Sequence, residues 1–159
     1  MVEPKNNRGK SEQSVETPDD FIRAVEERFG HISFDLAAEE SNQKAKRWEG
    51  MWYGEGEDSL KQDWTKHNGL LWLNPEFGNI RPWAKKCVES MDNGRLILML
   101  TPLSSSCWAT EFCHQHAHVI GLNGRIKFVG HKWFFPKDLM LSVFGWPPGF
   151  SIWNWRGIA

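Results

Sequence analysis

The sequence predicts an α/β domain, with one mostly parallel sheet that ends in antiparallel strands. Three observations carry that prediction. Short unbroken apolar runs at 69–73 (GLLWL) and 95–101 (RLILMLT) have the pattern of strands covered on both faces. Stretches with helical spacing precede the first run and separate it from the second. The last third changes character, with strand-like runs at 117–122, 125–129 and 139–144 and no helical pattern between them.

Residues 1–16 are polar and aperiodic, and read as a flexible tail ahead of a single domain spanning 17–159. Thr17-Pro18-Asp19-Asp20 has the form of a helix start. Thr17 can cap, Pro18 suits the first helical position, and the two acids favour the positive end of the helix dipole. Phe21, Ile22, Val25 and Phe29 then fall on one helical face, and Gly30 is a natural stop. Residues 31–36 (HISFDL) read as a short strand closing on Asp35. The segment 37–64 has no clear period, and Gly54, Gly56 and nearby acids mark a loop around 53–58.

The strand at 69–73 runs into Asn74-Pro75-Glu76-Phe77-Gly78. Asn79 can cap a helix through Trp83, Cys87 and Val88 to an Asn93-Gly94 turn. Pro102 breaks the next strand, and a Ser-rich loop leads to a helix near 106–116. Asn123-Gly124, between two strand-like runs, is a two-residue hairpin signal. Residues 139–144 form a further strand, and 151–155 are a candidate last one. Ligands of open α/β sheets bind beyond the carboxyl ends of the strands. If the strands ending at Asp35, Asn74-Pro75 and Thr101-Pro102 are neighbours, those residues face one crevice.

Composition narrows the function classes. A net charge of −1 argues against a protein coated in basic surface, so a nucleic-acid partner needs a local basic patch. Three cysteines (Cys87, Cys107 and Cys113) show no zinc-type spacing and read as reduced thiols. The polar N-terminus lacks the apolar stretch of a signal peptide, and no apolar run approaches the roughly 18 residues of a membrane span. A soluble, cytoplasmic protein with no membrane partner is expected. Ten Trp and ten Phe are a heavy aromatic load, most of it assigned to core packing. The alternative, a Trp-rich carbohydrate-binding sandwich, conflicts with the strand–helix alternation.

Asn74-Pro75-Glu76-Phe77 resembles the box of amino-directed DNA methyltransferases: Asp, Asn or Ser, then Pro-Pro, then an aromatic. The surrounding residues extend the likeness. Thr17-Pro18 before a helix, Phe34-Asp35-Leu36-Ala37-Ala38 with Asn42 and Lys44, and Asp58-Ser59-Leu60 with Asp63-Trp64 are similar to the phage-type DNA N6-adenine (Dam-like) methyltransferases. So are Trp72-Leu73-Asn74-Pro75, Ile80-Arg81-Pro82-Trp83, Leu98-Met99-Leu100-Thr101-Pro102 and Gly124-Arg125-Ile126-Lys127-Phe128. The likeness covers roughly residues 17–144, in order.

The resemblance implies a compact class I (Rossmann-like) methyltransferase using S-adenosyl-L-methionine, of phage or prophage type, that methylates adenine N6 in DNA in a bacterial host cytoplasm. Transfer to cytosine N4 is the alternative within the class. The catalytic residues it implies are Asn74, Pro75, Glu76 and Phe77. The Asn74 side-chain oxygen and the Pro75 carbonyl would accept the amine hydrogens, and Phe77 would stack on a base flipped out or single-stranded. Thr17, Asp35 and Ala37 are implied on the cofactor's amino-acid side, Asp63 and Trp64 on its adenosine side. Glu76 departs from the pattern, where Pro is usual. It is open to three readings: a late proton acceptor, a residue facing solvent, or the mark of a non-catalytic DNA- or cofactor-binding relative.

Arg125, Lys127, His131, Lys132 and Lys137 form one basic cluster, with Arg81, Lys85 and Lys86 as a second. Arg125, Lys127, Lys132 and Lys137 are the expected phosphate contacts. Trp133 and Phe134, among them, are open to two readings, wedge against bases or core. His114 and His118 stand four apart without a third ligand, and no metal is expected. Glu39-Glu40 and Glu55-Glu57-Asp58 read as surface loops. A domain this short leaves little room for separate target recognition, so a short or relaxed recognition sequence is expected, read by the 130–138 loop or across a dimer.

Overall fold

The computed structural model describes residues 16–37, 53, 58–92 and 94–157. The expectations placed on the tail at 1–15, on Ala38, Glu39, Glu40, Asn42 and Lys44, on Gly54 to Glu57, and on Asn93 lie outside the described residues. Helix α1 (Asp19–Phe29) leads into β1 (Ile32–Asp35). Strand β2 (Leu70–Leu73), helix α2 (Arg81–Glu89) and β3 (Leu96–Pro102) follow. A π-helical segment (Ala109–His114) precedes β4 (His118–Asn123), β5 (Leu139–Phe144) and β6 (Gly149–Asn154).

The six strands form one sheet in the order β1-β2-β3-β5-β4-β6. β1, β2 and β3 are parallel, β5 runs antiparallel between β3 and β4, and β6 lies parallel to β4. The α/β class is as read, but the antiparallel element is an inner strand and not the end of the sheet.

The predicted hairpin across Asn123-Gly124 does not form. Both sides of β4 are already occupied, by β5 and by β6, so 125–129 has no edge to pair with. Gly124 uses its positive φ of 110° to leave the sheet, and its carbonyl accepts a hydrogen bond from Trp155 Nε1 at 2.8 Å. Ile126 and Phe128 instead turn inward and are buried against the α1 side of the sheet. Val129 bridges to Glu16.

The apolar runs are buried on both faces because both faces are covered. Leu70, Trp72, Leu98 and Leu100 pack with Phe21, Ile22 and Val25 of α1. Leu71, Leu73, Ile97 and Met99 pack with Ala84 and Cys87 of α2 and with Ala109, Phe112 and Cys113 of the π-helical segment. Phe21 meets Trp155 edge to face at 5.1 Å, which ties the last described turn to the first helix. Most of the described aromatic rings are thus core or half-core, as expected.

Two predicted caps are corrected. Pro18 is the N-cap of α1 and Ile80 that of α2, neither with a side-chain cap bond. Thr17 is diverted to another partner, described below. His114 and His118 also part company, since His118 opens β4 and bonds Ser151 Oγ while His114 bonds the Ser104 carbonyl.

At the amino end of the sheet, buried Arg95 donates to the carbonyls of His67 (2.6 Å), Thr65 (2.7 Å) and Ser90 (3.3 Å). Burial, and then this guanidinium, pull the His67 imidazole below its ordinary pKa.

Candidate active site at the carboxyl edge of the sheet

The parallel register places the ends of β1, β2 and β3 side by side. Asp35 lies opposite Trp72, and Leu73 opposite Met99, so Asp35, Asn74 and Thr101 all emerge at one edge. β5 starts at the same edge, with Leu139 opposite Pro102. The strands whose endings the sequence singled out are therefore real neighbours.

Asp35 is only 8% exposed, and its carboxylate accepts the Ala37 amide at 3.0 Å. The turn that follows β1 thereby fixes the acid, and Ala37 acts through its backbone. In the box, the Asn74 amide donates from Nδ2 to Thr17 Oγ1 at 3.0 Å. Thr17 is 3% exposed, so this bond is shielded from water. Such a bond contributes about 1 kcal/mol to stability, but its orienting effect matters more: with the nitrogen held by Thr17, the Asn74 oxygen is presented in a fixed direction. Sequence reasoning gave Thr17 to the cofactor and missed this contact, which joins residues 57 positions apart and leaves no local signal.

Pro75 is buried, and Glu76 and Phe77 are half-buried. The Glu76 carbonyl accepts the Asn79 amide at 3.4 Å, closing a tight turn between β2 and α2. Phe77 meets Phe128 at 6.2 Å and Phe135 at 5.5 Å, both roughly edge to face. Phe135 was not singled out in the sequence, where an aromatic in a loop carries no period.

The two residues expected on the adenosine side are committed elsewhere within the chain. Asp63 is exposed and caps the short turn at Trp64–Lys66, accepting from the Thr65 amide (3.0 Å) and the Thr65 hydroxyl (2.5 Å). Those two bonds hold its carboxyl below the usual pKa. Trp64 is buried in the α2-side core, with Nε1 donating to the Ser59 carbonyl at 3.0 Å.

The two basic clusters separate on contact with the fold. Arg81 pairs with Glu111 at 2.9 Å, Lys85 with Glu89 at 3.8 Å, and Lys86 lies over the Trp64 ring. Arg125, Lys127, Lys132 and Lys137 are all exposed, and among the described residues no carboxylate neutralises them. Between them Trp133 is 74% and Phe134 53% exposed, which rules out the core reading for both rings.

Residues 5–134 match the family model described as DNA N-6-adenine-methyltransferase (Dam). The chain belongs to that family. The matched stretch holds Thr17, Asp35, the 74–77 box, Arg125, Lys127 and Lys132 of this family member; Lys137 and strands β5 and β6 lie beyond it. A DNA N-6-adenine-methyltransferase of Escherichia phage T1 is 33% identical over 105 residues, or 65% of this chain. The chain spans 42% of the length of that relative.

Proposed function

We propose that this Dam-family chain transfers a methyl group from S-adenosyl-L-methionine to the N6 amine of adenine in DNA. The observation that carries the reading is the Asn74–Thr17 hydrogen bond at the end of β2. Adenine N6 is a poor nucleophile because its lone pair is delocalised into the ring. An acceptor held in a fixed direction can take an amine hydrogen and draw the lone pair out of conjugation. The Asn74 oxygen and the Pro75 carbonyl are the two acceptors, and the turn closed by the Asn79 amide on the Glu76 carbonyl follows directly after them. Catalysis of this kind is mostly positioning in a site that excludes water.

The cofactor supplies an electrophilic methyl group on a sulfonium. The residues present fit it: a shielded carboxylate at Asp35, ordered by the Ala37 amide, suits the ammonium of its amino-acid end. Thr17 contributes through Asn74 and, beside it, through the amino end of α1. On the adenosine side the reading gives Asp63 a peripheral contact and Trp64 the role of a supporting wall. Phe77, wedged against Phe128 and Phe135, offers a ring to a target adenine that is flipped out or single-stranded. Arg125, Lys127, Lys132 and Lys137 hold phosphates.

A class I (Rossmann-like) methyltransferase fold is part of this reading, supported by five strands of one direction with helices on both faces and a single reversed strand. We further place the protein in a bacterial host cytoplasm, as a phage or prophage product. Among the described residues no helix is long and apolar enough to cross a membrane.

The test is to incubate the protein with S-adenosylmethionine and unmethylated duplex DNA and to quantify methylated nucleosides by mass spectrometry. N6-methyladenine that disappears in Asn74→Ala is the expected result. N4-methylcytosine would move the substrate to the other exocyclic amine, and cofactor binding without product would identify a non-catalytic relative. Glu76→Pro tells the roles of that carboxylate apart: lost activity means it is used, and gained activity means it is a handicap.

A further inference from the structure

We infer that Trp133 and Phe134 form a wedge that enters the base stack of a DNA duplex and holds the target base out of it. The inference rests on the DNA-methylating reading above and adds the element that opens the duplex. Two large aromatic rings in water forgo burial that the fold gives to Phe128 and Phe135 on either side of them. They are not on a slack loop. Phe135, the next residue, donates its amide to the Ile126 carbonyl at 2.8 Å and packs its ring against Phe77 of the box. On the other side His131 donates to the Phe128 carbonyl at 3.1 Å, and Val129 to Glu16 at 3.0 Å. Leu103 donates to the Asp138 carbonyl at 2.9 Å, closing the far end of the segment.

The exposed pair is therefore carried on a braced projection whose root is the ring beneath the proposed base site. Its surroundings select the partner. Lys132 lies over the Trp133 ring at 5.2 Å, and Arg125, Lys127 and Lys137 are exposed and unpaired with carboxylates among the described residues. Exposed rings and exposed cations on one segment match a polyanion with a stacked apolar interior, where the cations hold phosphates and the rings replace a displaced base. An apolar protein surface would not call for exposed cations along the same segment. Phe77 then stacks on the extruded base, and Trp133 and Phe134 keep its place in the duplex closed.

The experiment compares initial methylation rates on a fully paired duplex and on the same target strand alone. In Trp133→Ala/Phe134→Ala the duplex-to-single-strand rate ratio should fall about tenfold or more, the scale of losing one or two stacking contacts. Trp133→Phe, which keeps a ring, should restore most of the ratio. Lys132→Ala/Lys137→Ala should weaken both substrates together and leave the ratio near the wild-type value. A ratio unchanged in the double aromatic variant would overturn the wedge while leaving the methyltransferase reading intact. No methylation of either substrate by the wild-type protein would defeat that reading, and the wedge with it. A second readout is independent of turnover: duplex with 2-aminopurine at the target position should brighten on binding Asn74→Ala protein. The brightening should be lost when Trp133→Ala/Phe134→Ala is added, and its persistence would count against the wedge.

Discussion

The end of β2 and the 125–138 segment are joined by one aromatic contact, Phe77 on Phe135, yet they are built on opposite terms. At the box, polar groups are hidden: Asp35 and Thr17 are nearly inaccessible, and each is held by a hydrogen bond within the chain. Along 125–138, apolar rings and cations are put on show, with no carboxylate partners among the described residues for the four expected phosphate contacts. Concealed polarity suits a site that must direct lone pairs in a low-dielectric setting. Displayed rings and charge suit a surface that must find and deform a large polyanion. The comparison predicts that damage at the box acts on the chemical step or on the cofactor, and that damage at the segment acts on DNA binding.

The largest expected effect comes from Thr17→Val, which keeps the shape but removes the acceptor that orients Asn74. The turnover rate should fall by about a hundredfold, with little change in KM for DNA and a small shift in thermal midpoint. A large KM change with an intact rate would break the division. Asp35→Asn comes next: affinity for S-adenosylmethionine, measured by calorimetry without DNA, should drop on the order of tenfold to a hundredfold. Unaltered affinity would remove Asp35 from the cofactor site.

Smaller effects sharpen the other side of the comparison. Lys132→Ala/Lys137→Ala should lower the slope of log affinity against log salt by about 2. Arg81→Ala, at a cation already paired with Glu111, should leave that slope almost unaltered. If the two clusters behaved alike, the ion pairs of Arg81 and Lys85 would not be what separates them.

Much of this was legible in the residues. Unbroken runs such as 70–73 announce strands covered twice, and a strand's end is a place where a box of four residues can be read as a site. The mistaken hairpin at Asn123-Gly124 shows the limit. Local turn chemistry asked for a return strand, but β5 and β6 had taken both edges of β4. The cap assigned to Thr17 failed for a similar reason: its hydroxyl is engaged by the half-buried Asn74 amide at the end of β2 and not by the first turn of α1. Asp63 and Trp64 were found by likeness of pattern, and nothing in that pattern says that Thr65 and Ser59 engage their polar atoms.

The α/β class, most of the strands and the box were legible in the residues, because periodicity and turn residues act over a few positions. So was the family likeness. Only the folded chain shows which strands are neighbours, that β5 is reversed within the sheet, and that Arg125, Lys127, Lys132 and Lys137 have no carboxylate partner among the described residues. It alone joined Thr17 to Asn74 and set Trp133 and Phe134 outside the core. Those outcomes depend on competition for edges, partners and buried volume among residues far apart in the chain, and no local pattern records who wins.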